Sequence, residues 1–205
     1  MNATVPSLQV AILVFDDVEA LDFAGPYEVF TTASRVLART QPERAPLFSV
    51  RCVARQRTPV RARAGLNILP DQTFADCSRA DVLIVPGGVV DAAVACADTL
   101  AWIRQVNATT RITASVCTGA FLLAASGVLS HGRATTHWED VADLRLRHPA
   151  LEVVDNVRWV DDGGPVSSAG ISAGIDMCLH LVARLADPAL VERTARQMDF
   201  AWTRN

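Results

Sequence analysis

The sequence predicts an α/β protein with a mainly parallel central sheet covered by helices on both faces. Three observations carry that reading. Short apolar β-branched runs recur along the chain, segments of helical pattern follow them, and turns rich in small residues close two of the runs at 87–88 and 117–119. Half of the 205 residues are apolar and a fifth are charged, the composition of an ordinary globular protein with ample material for a core. No Pro/Gly/Ser-rich linker or low-complexity tract divides the chain, so a single domain over 1–205 is expected.

The elements follow in order. Residues 8–15 (LQVAILVF) form an apolar run stopped by Asp16 and Asp17, the pattern of a central strand buried on both faces. A helical pattern covers 22–39, and Gly25 and Pro26 near its start predict that the helix proper begins at Pro26. Further strands are expected at 48–54 and 66–69. Arg51, Arg55, Arg57, Arg61 and Arg63 make a basic stretch between them that reads as a solvated loop or hairpin. The run at 82–85 ends in Pro86, Gly87 and Gly88 and is followed by a helix at 98–107. A strand at 111–116 turns at Cys117 directly into a helix that stops near Gly127. A helix at 138–147, strands at 152–154, 157–160 and 166–168, and helices at 172–186 and 188–199 complete the reading. In sheets of this kind, ligands bind at the carboxyl ends of the strands.

Composition narrows the chemistry. The five cysteines (Cys52, Cys77, Cys96, Cys117 and Cys178) are odd in number and widely spaced, with no C-x-x-C and no Cys/His spacing for zinc. Disulfides, a metal and a cofactor are therefore not expected. All 19 basic residues are arginine, which removes Schiff-base chemistry and a Walker-type phosphate loop, both of which need a lysine. A net charge of -3 offers no general attraction for nucleic acid. The first residues lack a basic n-region and a cleavage site, and no window reaches the length of a membrane span, so a cytoplasmic protein with no membrane partner is expected.

Three turns fall at carboxyl ends of strands: 16–22, 87–88 and 117–119. A cysteine at a tight strand-to-helix junction sits at the positive end of a helix dipole, which lowers a thiol pKa, so Cys117 is the candidate nucleophile. Thr118, Gly119 and Ala120 are small enough for such an elbow. Backbone amides of Gly87 or Gly88 together with Thr118 are expected to form an oxyanion-type pocket. Asp22 stands among apolar neighbours, where partial burial would raise its pKa and make it a usable acid or base. His137 precedes Trp138 and Glu139; it either lines the site or takes part in catalysis, and Trp138 either closes the pocket or fills core space. His131, His148 and His180 show no acidic partner pattern and read as structural or surface residues. The other four cysteines read as small buried hydrophobes.

Five segments taken in order resemble the ThiJ/PfpI superfamily over nearly the whole chain: 15–26 (FDDVEALDFAGP), 85–88 (VPGG), 115–120 (SVCTGA), 134–138 (ATTHW) and 169–176 (AGISAGID). The resemblance implies a flavodoxin-like, class I glutamine-amidotransferase-like fold with Cys117 as nucleophile. Protease-like members carry histidine directly after the cysteine. Thr118 stands there in this chain, which argues against a peptidase. The Cys-Thr-Gly form, the Leu-Asp-x-x-Gly-Pro loop and the Thr-His-Trp segment are similar both to isocyanide hydratases and to the sensor-like domain of AraC-type regulators. The first likeness implies attack by Cys117 on an isocyanide carbon, proton transfer by Asp22, an orienting role for Thr118, and release of an N-substituted formamide. The second implies a non-catalytic ligand- or redox-sensing domain. The chain stops a few residues past its last expected helix with no helix-turn-helix region, so a stand-alone domain acting on a small molecule is expected, with no direct nucleic-acid binding. The superfamily's usual homodimer carries over as a further expectation.

Overall fold

The computed structural model describes residues 6–204. In chain order the elements are β1 (Leu8–Leu13), α1 (Ala20–Ala38), β2 (Phe48–Ala54), β3 (Val60–Arg61), β4 (Asn67–Ile68), β5 (Gln72–Thr73), β6 (Val82–Val85), α2 (Asp91–Ala95), α3 (Ala97–Asn107) and β7 (Ile112–Val116). They continue with α4 (Gly119–Ala125), β8 (Gly132–Ala134), α5 (Val141–Arg147), β9 (Leu151–Val153), β10 (Trp159–Val160), β11 (Val166–Ser168), α6 (Ala173–Leu185) and α7 (Pro188–Gln197). Seven strands form the central sheet in the order β10-β11-β7-β6-β1-β2-β5, parallel throughout except for β10. β3 and β4 form a separate hairpin, and β8 and β9 a small parallel pair.

The continuous apolar runs are explained by two cores, one on each face of the sheet. Val10, Ile12 and Val14 enter one core beneath α1, α6 and α7, while Ala11 and Leu13 enter the other beneath α3, α4 and α5. β6 divides in the same way, with Val82 and Ile84 on one side and Leu83 and Val85 on the other. A strand flanked by helices on both faces has no polar side to display. From β1 the chain moves outward to β2 on one side, whereas β6 pairs with the other side of β1. The carboxyl ends of β1 and β6 therefore flank a point where the strand order reverses, which is where ligands bind in open α/β sheets.

Several local boundaries differ from the sequence reading. α1 begins at Ala20 and runs through Pro26, so Asp22 lies in its first turn rather than in a loop. Proline there removes one amide that would bond the Asp22 carbonyl, but burial of Phe23, Gly25, Pro26, Val29 and Phe30 against the sheet and α6 sustains the helix across it. The strand expected at 66–69 shortens to β4 and pairs with β3 in a hairpin that carries part of the arginine stretch. The short elements α2, β5 and β8 were not foreseen. Among the described residues, no helix is long and apolar enough to cross a membrane.

Candidate active site

Three strand ends deliver the chemistry to one place. The chain leaves β7 at Cys117 with φ 55°, a left-handed conformation at a non-glycine residue, and enters α4 at Gly119. Such a conformation costs about 1–3 kcal/mol and persists only when its surroundings hold it. The surroundings are specific. The Cys117 amide donates to the Ser168 carbonyl at 3.1 Å, and the Cys117 carbonyl accepts from Thr136 Oγ1 at 2.9 Å. Gly119 is required by close approach: a Cβ there would lie 2.0 Å from the Val85 carbonyl oxygen. At Gly87 a Cβ would lie 2.5 Å from the Thr118 amide nitrogen and 3.0 Å from Asp22 Oδ2. The elbow, the loop after β6 and the first turn of α1 are thus packed together with no room for side chains between them.

Asp22 is fully buried. Its Oδ2 accepts the Gly87 amide at 3.1 Å. Oδ1 has no partner that satisfies hydrogen-bond geometry, though the Cys117 thiol lies near enough to favour the ionised carboxyl. Burial dominates and raises this carboxyl to about 7, with the negative charge of Glu19 adding to the rise and the Gly87 amide opposing it. The burial of Asp22 and the direction of its shift are those expected from the sequence.

The thiol departs from expectation. Cys117 is 7% exposed, and burial together with the Asp22 carboxylate pushes it up to about 12 rather than down. The amides of Thr118 and Ile171 favour the thiolate but do not prevail over these two effects. Cys117 and Asp22 therefore form a coupled pair: in the state that holds one proton between them, thiol plus carboxylate and thiolate plus carboxylic acid are alternative placements of the same proton.

The expected oxyanion pocket also needs correction. The Gly87 amide is engaged by Asp22, and the Gly88 amide donates to Thr118 Oγ1 at 2.9 Å while that hydroxyl donates to the Gly88 carbonyl at 2.9 Å. The donors aimed at the sulfur are instead the amides of Thr118 and Ile171. Ile171 follows β11 with φ 37°. It was missed because a backbone amide has no side-chain signature; only its position in the 169–176 segment pointed to it.

His137 packs against Gly170, where a Cβ would come within 2.2 Å of its ring, and its Nδ1 faces Asp140 at 3.5 Å and Glu139 at 3.6 Å. It lines a cleft of about 400 Å³ with Trp138, Val157, Gly170, Ile171 and Ala173. Trp138 is 76% exposed, so it does not fill the core. His180 does have an acidic partner, contrary to the sequence reading: its Nε2 lies 2.6 Å from Asp161, which also accepts from Arg184 at 2.7 Å. Spacing alone could not reveal this pair, because Asp161 follows β10 and His180 lies on α6.

The family model matching this chain is that of the DJ-1/PfpI family, over residues 8–184. The chain belongs to the DJ-1/PfpI family. Among DJ-1/PfpI relatives, the isonitrile hydratase of Pseudomonas putida is 36% identical over 196 residues, covering 95% of this chain and 79% of that protein. A crystal structure of a ThiJ/PfpI family protein from Pseudomonas syringae superposes with a TM-score of 0.83 at 30% identity, over 98% of this chain and 78% of that one. The HTH-type transcriptional regulator CdhR of Pseudomonas aeruginosa is 27% identical over 82% of this chain, which spans half of the regulator's length. The DJ-1/PfpI fold expected from the sequence is the fold found.

Proposed function

We propose that this chain is a single-domain, cofactor-independent hydratase that adds water to a small isocyanide, with Cys117 as nucleophile and Asp22 as the proton-transfer group. The observation that carries the reading is the contact between a thiol on a strained elbow and a buried carboxyl raised to about 7. The 36% likeness to an isonitrile hydratase supports it. As sulfur attacks the terminal isocyanide carbon, Asp22 accepts the thiol proton and delivers it to that carbon, giving a thioimidate. Water then adds to the thioimidate carbon; Asp22 takes a proton from the water, and nitrogen and the departing sulfur recover protons as the C–S bond breaks. The products are an N-substituted formamide and free Cys117. Thr118 holds Gly88 and orients the elbow, while the Thr118 and Ile171 amides offset charge on sulfur. Gly87, Gly88 and Gly119 permit the close packing, and His137 and Trp138 border the substrate's path. A homodimer completes the proposal.

The deciding experiment is a screen of isocyanides and other small electrophiles with wild type, Cys117→Ala and Asp22→Asn. Turnover by wild type that is lost in both variants is the expected result. Unchanged turnover in Cys117→Ala overturns the nucleophile, and no isocyanide turnover by wild type overturns the hydratase. The likeness to CdhR favours a second reading, a ligand-sensing domain, which a ligand-induced thermal shift without product formation would support.

A further inference from the structure

We propose that the buried carboxylate of Asp176 is a positioning residue for Cys117: through Arg158 it fixes the 169–173 segment that presents the Ile171 amide to the sulfur, and Trp202 and Thr203 complete its anchorage. The inference rests on the reading of Cys117 as the reactive thiol and adds a residue to which that reading gives no part.

Asp176 lies on α6, five residues past Ile171, and is fully buried. A buried carboxylate is unfavourable unless its oxygens are satisfied by charge and hydrogen bonds. Here both oxygens are engaged. Oδ2 accepts from the Arg158 guanidinium through Nε and Nη2, and Oδ1 accepts from the Thr203 amide at 2.7 Å. The Asp176 carbonyl also accepts from the Trp202 indole at 3.1 Å. Arg158 in turn holds the segment at two points. Its carbonyl accepts the Ala169 amide at 2.9 Å, and its guanidinium reaches Ser172 Oγ at 3.5 Å. Ile171 lies between these two points, in a backbone region that side chains disfavour. A buried ion pair is a poor way to gain stability, since apolar residues of similar volume often do as well. What this pair supplies is direction. Asp176 draws Arg158 inward, and Arg158 sets where Ala169 and Ser172 stand, hence where the Ile171 amide points.

The test uses the full chain and iodoacetamide at pH 8.5, with alkylation rates read separately at Cys117 and Cys96 by peptide mass mapping. In Asp176→Asn, weaker anchorage withdraws the Ile171 amide from the thiolate, and the Cys117 rate falls about tenfold, the scale of one hydrogen bond to a charged group. Thr203→Pro removes only the amide donor to Oδ1 and lowers the same rate about threefold, while Asp176→Glu restores part of the loss. The Cys96 rate stays unchanged in all three. Simple loosening of the structure would instead expose Cys117 and raise its rate. An unchanged or raised Cys117 rate, or an equal fall at Cys96, overturns the proposal; if Asp176→Asn does not fold, Thr203→Pro decides. Isocyanide turnover is scored independently, so a wild type without it removes the hydratase reading and leaves this result standing.

Discussion

Cys117 and Cys96 both stand where a chain segment turns into a helix, yet their environments drive the two thiols in opposite directions. Cys96 is the residue before α3, half-buried, and its thiol is lowered by the Thr99 hydroxyl first, then by the Thr99 and Asp98 amides and the positive charge of Arg55. Arg55 donates to its sulfur at 3.8 Å. Cys117 receives two amides as well, but it is buried beside a carboxylate and is pushed up to about 12. A helix start is therefore not enough to set a thiol's state. Solvent access and the sign of the nearest charge decide it.

The largest effect should come from deleting each thiol in turn. Cys117→Ala is expected to lower isocyanide turnover at least about a thousandfold, while Cys96→Ala leaves it unchanged; steady-state rates of formamide release check both, and a loss in Cys96→Ala would break the contrast. Asp22→Asn sharpens it by moving two quantities in opposite directions. Turnover falls about a hundredfold or more as the proton-transfer group is lost, whereas Cys117 alkylation at pH 8 rises because the repelling charge is gone.

The pH dependence follows from the same carboxyl. Below about 7 Asp22 is protonated beside a protonated thiol and cannot accept its proton, so wild-type turnover should climb as pH rises through about 7. The folded pKa lies above the usual 3.8, so the native state binds the extra proton between these values. Stability is then greatest at the acid end of that window and declines as pH rises to about 7, by up to about 4 kcal/mol. Urea unfolding of wild type should show that decline, and Asp22→Asn should lack it.

A smaller effect compares the two thiols directly. At pH 7.5, iodoacetamide should label Cys96 at least about tenfold faster than Cys117, as measured by peptide mass mapping. The smallest tests the cause at Cys96: Thr99→Val should slow its labelling about threefold. An unchanged rate would shift the credit to the backbone amides and Arg55.

The fold was legible in the sequence wherever elements repeat a strong local pattern. β1 and β6 announce themselves because both faces are apolar, and α3, α6 and α7 because a periodic stripe meets the core. The Gly25–Pro26 signal misled because it describes local preference, while α1 is held across it by packing against distant segments. At the site, residue types singled out Cys117 and Asp22, which the fold brings together, since a thiol and a carboxyl carry their chemistry in their side chains. The amides did not reveal their assignments. Whether the Gly87 and Gly88 N–H groups stay free depends on where Asp22 and Thr118 fall in space, and the displacement of the thiol's pKa depends on its burial and on the Asp22 charge that the fold brings beside it.

The glycine packing around the elbow has a consequence for how this scaffold can diversify. At Gly87 and Gly119 even a methyl group would collide with backbone atoms, so the packing around Cys117 and Asp22 is closed to variation. Side chains can vary more freely where Trp138 and Ile171 stand exposed at the cleft beside His137. A library built to retune the protein should leave the glycines alone and randomise 138 and 171.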